Sequence, residues 1–183
     1  KIILFFLLNL FTLNLNLNAE EFEISASEIT FDNINNVVIG KGLVQISDRE
    51  GKIIKADKVV YEKSKEFLTI NGSVEVFDIF GNILRTDKAT YDKKNEIINT
   101  FKNSELEIKE GYNLKSDDIL YNVYKKILYS DKDSTLIDED GNQVMVSMFQ
   151  YHLEKNLFSS LGKIKIIDIN RNKYFFKELH VDT

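Results

Sequence analysis

The chain has 183 residues, with 24 basic against 29 acidic side chains for a formal net charge of −5, and it contains no Cys, Pro or Trp. That length is one domain's worth and is enough to bury a sizeable core. The lack of Cys excludes disulfides and thiol chemistry, and the mild acidic balance argues against nucleic acid as a partner, since that needs a basic face.

Residues 1–19, K-I-I-L-F-F-L-L-N-L-F-T-L-N-L-N-L-N-A, are one Lys followed by Leu, Ile and Phe thinning into Asn. This is the pattern of a secretory signal peptide. The continuous apolar part, Ile2 to Leu8, is too short to span a bilayer alone. Cleavage is expected after Ala19, although Leu17 stands where a smaller residue is usual; a core strand or an uncleaved anchor is the competing reading. The chain does not begin with Met and stops at Thr183 partway through a repeat, so a fragment of something longer is expected, with residues 20–183 as its one domain.

From Glu21 onward the apolar residues alternate with polar ones, and the pattern returns every 30 residues. An aromatic recurs at Phe31, Tyr61, Tyr91, Tyr121 and Tyr151, and a glycine at Gly51, Gly81, Gly111 and Gly141. The residue five places before each aromatic is Ala26, Ala56, Thr86, Ser116 and Val146. A fixed period of this size signals stacked repeats, each borrowing a wall of its core from its neighbour.

Within a copy, Ile54 to Tyr61 reads as a first strand and Leu68 to Val76 as a second. The shift of phase between Ala56 and Val59 predicts a bulge or corner. Polar turns follow, such as E-K-S-K at 62–65 and D-K-K-N at 92–95, with the composition of short hairpin connections. Helix competes over Ile119 to Tyr129, but the apolar residues there alternate. Glycine inside the second strand, at Gly42, Gly72 and Gly162, marks a bend. Lys102 and Lys132 hold that slot in the third and fourth copies, so a milder bend is expected there.

Little in the chain could carry chemistry. His152 and His180 occupy non-equivalent slots and match no zinc spacing. Asp57, Asp87 and Asp117 form a column with one carboxylate per repeat. In alternating strands they would lie about 9–10 Å apart, too far to share an ion or to form a retaining glycosidase pair. They read as side chains bonding local backbone at the corner. Asp138, Glu139 and Asp140 before Gly141 resemble part of a calcium loop but lack the remaining ligands. No metal and no cofactor are expected.

The apolar face that remains is the informative one. Ile24 and Phe31 begin it, and the copy that follows contributes Ile54, Val59, Tyr61, Leu68, Ile70, Val74 and Val76. Leu84, Tyr91, Ile98, Leu106 and Ile108 continue it, then Ile119 or Leu120, and finally Ile164 with Ile166. A filled core and a groove held open for lipid tails require the same residues, so periodicity does not separate them. Strand direction is also open, because a right-handed parallel β-helix would bring Asp57, Asp87 and Asp117 into closer columns.

The segments A-D-K-V-V-Y at 56–61 and N-G-S-V-E-V at 71–76, with S-A-S-E-I-T-F and R-T-D-K-A-T-Y in neighbouring copies, resemble the repeat of the OstA-like lipopolysaccharide-transport family. That family includes the periplasmic bridge protein LptA and the N-terminal periplasmic domain of the outer-membrane subunit LptD. The resemblance covers residues 24–183 and weakens after residue 100. It implies an all-β, twisted, open antiparallel β-jellyroll in the periplasm, not an enzyme, whose interior takes lipopolysaccharide acyl chains, with the apolar face from Ile54 to Ile108 as the lipid-binding groove. The end inside a sixth copy favours the LptD type over a stand-alone LptA. That type implies attachment to the outer membrane and a barrel and a lipoprotein as further partners, although its usual cysteines are missing here. A carbohydrate-active β-solenoid is the rival from another class.

The resemblance also implies head-to-tail joining of domains by strand pairing. The segment F-E-I-S-A-S-E-I-T-F, with Phe22, Ile24, Ala26, Ile29 and Phe31 as its apolar members, carries little inward charge. It is expected to accept the terminal strand of an LptA-like partner. The alternative is that a loop or the processed chain end caps it.

Overall fold

A computed structural model describes residues 22–49, 51–109 and 111–182. The expected signal peptide lies outside the described residues. What is described is strand joined by turns and bends, with single 3-10 turns at Lys63–Lys65 and Leu153–Lys155. In chain order the strands are β1 (Phe22–Ser25), β2 (Glu28–Asp32), β3 (Val37–Asp48), β4 (Ile53–Glu62), β5 (Phe67–Phe77) and β6 (Ile83–Asp92). Shorter ones follow: β7 (Ile97–Phe101), β8 (Ser104–Glu107), β9 (Asn113–Ser116), β10 (Leu120–Asn122), β11 (Ile127–Ser130) and β12 (Ser134–Ile137). Then come β13 (Gln143–Val146), β14 (Phe149–His152), β15 (Leu157–Ile167) and β16 (Lys173–Asp182).

These strands form one 16-stranded sheet, and every pairing is antiparallel. The fold is therefore the expected antiparallel jellyroll, and the parallel β-helix is overturned. The sheet is doubled over into two leaves. One leaf holds the segments around the repeat aromatics, from β2 through β7, β10, β11 and β14. The other holds the segments next to the glycine turns, from β1 through β8, β9, β12 and β13. Strands β3 to β6, β15 and β16 cross from one leaf to the other.

The backbone itself carries the 30-residue period. Asn36, Glu66, Glu96, Lys126 and Asn156 all lie in the left-handed region, with φ between 48° and 59°. Their turns are stitched together. The N–H groups of Lys63, Lys93, Val123 and Leu153 donate to the carbonyls of Asn36, Glu66, Glu96 and Lys126 at 2.9–3.0 Å. At the opposite ends of the strands, Asp78 Oδ1 accepts from the N–H groups of Phe80 and Asn82, and Asn82 Oδ1 accepts from Lys109 N–H in the next copy. Asp138 and Asn142 repeat the arrangement toward Ile169. Asp138 thus organises a turn, as a short polar side chain does when it bonds backbone two to four residues on.

The crease between leaves is made in two ways. In β3, β4, β5 and β15 the register slips at a bulge, at Gly42, Gly72 and Gly162 in three of these strands. Where Lys102 and Lys132 replace the glycine, the strand does not straighten, contrary to the sequence expectation. It breaks outright, between Phe101 and Ser104 and between Ser130 and Ser134. Buried hydroxyls take over the lost ladder bonds. Ile119 N–H donates to Thr100 Oγ1 at 2.8 Å, Thr86 Oγ1 donates to the Lys102 carbonyl at 3.0 Å, and Ser134 Oγ donates to the Lys132 carbonyl at 2.8 Å. Buried backbone groups need such partners wherever the ladder stops.

Between the leaves lie two apolar clusters. The first is built from Phe22, Ile54, Val59, Leu68, Ile70, Val74, Tyr91 and Ile98, with Ile24, Ala26, Tyr61 and Val76 packed against it. The second holds Leu84, Leu106, Ile108, Leu114, Phe149 and Phe158 among others. Val76 and Tyr121 touch both. Of the pair 119 and 120 it is Ile119 that points inward, whereas Leu120 is exposed.

Candidate functional site

Along the side opposite the crease the leaves end in two rows of turns, and the space between those rows is not filled. A cavity of about 130 Å³ is lined by Val76, Leu84, Ile98, Leu106, Tyr121 and Leu128, among others, with Ile79 and Phe80 at its lip. Beside it lies a cavity of about 460 Å³, bordered by Phe22, Tyr91, Val123 and Tyr124 and by charged side chains of both turn rows. Lys52, Val123 and Lys126 line both, so the two form one cleft that is apolar within and polar at its mouth.

Apolar residues at the turn ends produce this shape. Ile79 and Phe80 sit at the tip of the turn that Asp78 holds, each 62% exposed, so they extend the apolar wall into solvent. At the mouth, Tyr91 Oη donates to Glu96 Oε2 at 2.7 Å, and Lys93 is paired with the same carboxylate. Burial pushes the Glu96 carboxyl up, but hydrogen bonds from Lys93 and Tyr91 and the charges of Lys93 and Lys52 outweigh it and hold it below the usual range. Lys52 is only 16% exposed, 3.3 Å from Asp48, with its ammonium 5.9 Å from the Tyr91 ring centre.

The residues expected to line a groove all belong to or pack against the two apolar clusters, and they differ in whether they also reach the cleft. Val76, Leu84, Tyr91, Ile98 and Leu106 border the cleft. Ile54, Val59, Leu68, Ile70, Val74 and Ile108 are buried in packed clusters, and Tyr61 packs half-buried against the first. Sequence alternation could not divide them, because both groups project from the same face of the same strands. It also missed the cations of the mouth: the slots of Lys93 and Lys126 hold Lys63 or Val123 and Glu96 or Glu66 in other copies.

The expected edge strand is two strands rather than one. The chain turns the crease at Ala26 and Ser27, where Ser27 N–H donates to the Gly42 carbonyl at 2.8 Å. Phe22 is buried, and Ile24 and Ala26 pack against the first cluster. Ile29 and Phe31 pair opposite Gly40 and Val38 and so lie on the inner face, yet Phe31 is 64% exposed. Phe31 thus faces inward as its alternation predicts, but at the edge no covering leaf encloses it. At the far edge, Tyr174 and Phe176 pair with Ile166 and Ile164 and are likewise inner-facing and exposed. β1 and β2 pair only with β3, and β16 only with β15, so each leaf has an unpaired edge at both ends among the described residues.

The acidic column does not converge on anything. Asp57 packs over Gly72, and Asp87 accepts from Asn103 Nδ2 at 2.9 Å. Among the described residues no three His, Asp or Glu side chains are grouped to hold a metal ion. His152 contacts Gln150, and His180 lies exposed beside Glu178.

By sequence, no protein-family model and no curated protein matches the chain. Among solved structures, it superposes on LptH of Pseudomonas aeruginosa with a TM-score of 0.55, covering 61% of this chain and 82% of that one. The chain shares the LptH fold. LptH is described as the LptA-homologous periplasmic component of the conserved lipopolysaccharide transport device. At 13% identity the likeness to LptH is one of architecture.

Proposed function

We propose that this domain carries lipopolysaccharide across the periplasm, holding acyl chains between its leaves while the sugars stay in water, as the N-terminal domain of an LptD-type outer-membrane assembly protein. The observation that supports this best is the cleft itself, an apolar seam ending in Val76, Leu84, Ile98 and Leu106 and open to solvent along the turn rows. Removing a methylene from water is worth ~0.8 kcal/mol, so each methylene of an acyl chain that enters the seam adds about that much to binding. Transfer from one such seam to the next leaves that term nearly unchanged, which lets lipid advance without a deep trap. The unpaired edges and the inner-facing Ile29, Phe31, Tyr174 and Phe176 support end-to-end joining with an LptA-like partner that continues both sheet and seam. The role is one of binding and transfer rather than catalysis, and in the LptD type a barrel and a lipoprotein complete the assembly.

A photoreactive side chain tests the reading. Placed at Val76 or Tyr121, facing the seam, it should label lipopolysaccharide in cells, whereas at Glu75, on the outer face opposite Arg85, it should not. Val76→Glu should abolish labelling from Tyr121 while the strand signal in circular dichroism persists. Ile70 is unsuited to this test, because it is 1% exposed and a charge there would unfold the core. Equal labelling from Glu75, or labelling indifferent to Val76→Glu, would sink the proposal.

A further inference from the structure

We propose that the mouth of the cleft is a phosphate-binding rim, in which Arg49, Lys52, Lys93 and Lys126 hold a phosphate on the head of the lipid whose chains enter the seam. The inference rests on the cleft reading above and adds the chemistry of the head group. Among the described residues, the 460 Å³ cavity is lined by those four cations and by two carboxylates, Asp48 and Glu96. The surplus is positive in a chain whose net charge is −5. Cations gathered against the overall sign of a protein mark a place where a negative group is received.

Their placement relative to the apolar wall makes the ligand a lipid head. Lys52 and Lys126 also line the apolar cavity beneath, so they stand at the boundary where acyl chain gives way to head group. Lys52 is held there by Asp48 and by the Tyr91 ring. Lys93 is held by Glu96, which Tyr91 also bonds. These two carry a carboxylate each, which fixes their position and cancels their charge. Arg49 and Lys126 come from turns of opposite leaves and supply the remaining positive charge across the opening. A neutral sugar would gain nothing from that surplus, whereas a phosphate bears close to two negative charges at neutral pH. The guanidinium can also meet it with two parallel hydrogen bonds.

The experiment compares two amphiphiles with the same chain, dodecyl phosphate and dodecyl maltoside, each below its micelle concentration, with binding read by titration calorimetry on the protein. Dodecyl phosphate should bind about fivefold or more tightly, the scale of one unit-charge contact at a wet surface. That preference should shrink in 0.5 M salt. It should also fall to within about twofold in the double variant Arg49→Gln, Lys126→Gln, while Lys58→Gln, an exposed cation on β4, retains it. Equal affinity for the two amphiphiles overturns the rim and leaves the cleft standing. Binding of neither overturns both. Inorganic phosphate bound as tightly as dodecyl phosphate makes this a site for the free ion and overturns the assignment to a lipid.

Discussion

Gly72→Ala should be the most damaging of the crease substitutions, and its cost divides into parts the structure distinguishes. Gly72 has φ +78°, and Gly42 in the preceding copy has φ +70°. At either position a Cβ in left-handed backbone costs about 1–2 kcal/mol. The stiffer unfolded chain returns about 0.4–1 kcal/mol. The surroundings differ. At Gly42 the added carbon would meet Ser27 Oγ at 3.2 Å and Ser27 Cβ at 3.3 Å, contacts that a shift of a few tenths of an ångström relieves. At Gly72 it would meet Asp57 Oδ2 at 2.2 Å and Asp57 Cβ at 2.9 Å. The exposed carboxylate can swing away, but its Cβ is fixed to β4, so the strands must part. Overpacking of that kind costs about 1–3 kcal/mol. Gly42→Ala should therefore lose about 1 kcal/mol and Gly72→Ala about 2–4 kcal/mol, measured by urea unfolding followed by far-UV circular dichroism. Adding Asp57→Gly should uncover a coupling of about 1 kcal/mol or more in a double-mutant cycle. Equal losses at the two glycines, or no coupling, would refute the view that Asp57 packed on Gly72 sets the crease.

Two further outcomes are expected. Photocrosslinkers at Ser25 and Ser27, beside the β1–β2 edge, should capture an LptA-like protein in cells; capture only from Tyr174 to Val181 on β16 would reverse the polarity of the joint. Acid should also loosen the turns. Asp32, Asp92 and Asp168 are held below the ordinary carboxylate value, first of all by side-chain hydrogen bonds from Asn35, Asn95 and Asn172. A depressed folded value means their contribution is complete above the unfolded value of about 3.9 and vanishes as pH falls through the folded one. Thermal midpoints should be flat from pH 7 to about 5 and drop below about 4, and Asp92→Asn should soften the drop; a steeper loss above pH 5 would contradict this origin.

The period was legible in the residues because each repeat must present the same groups to its neighbours. Gly51, Gly81, Gly111 and Gly141 count out turns whose φ values all fall between 91° and 94°. Alternation around Val59 and Ile70 placed them inside, and both are buried. Asp57 lies at the corner against Gly72, whereas Asp87 accepts from the side chain of Asn103 rather than from the local backbone expected for this column.

Other features needed the tertiary structure because they depend on residues far apart in the chain. Lys102 breaks its strand rather than easing it, since Thr86 reaches the Lys102 carbonyl and Thr100 receives the Ile119 N–H, each from more than a dozen residues away. Phe31 and Tyr91 occupy the same repeat slot, yet one is exposed and the other buried, because an edge strand lacks the neighbour that would cover it. Alternation assigns a face and nothing more. Whether a buried residue of that face is enclosed by packed side chains alone, as Leu68 is, or also borders the cleft, as Leu106 does, is decided by how far the leaves close above it. The mouth cations gather from turns more than 70 residues apart, and only the doubling of the sheet brings Arg49 and Lys126 to one opening.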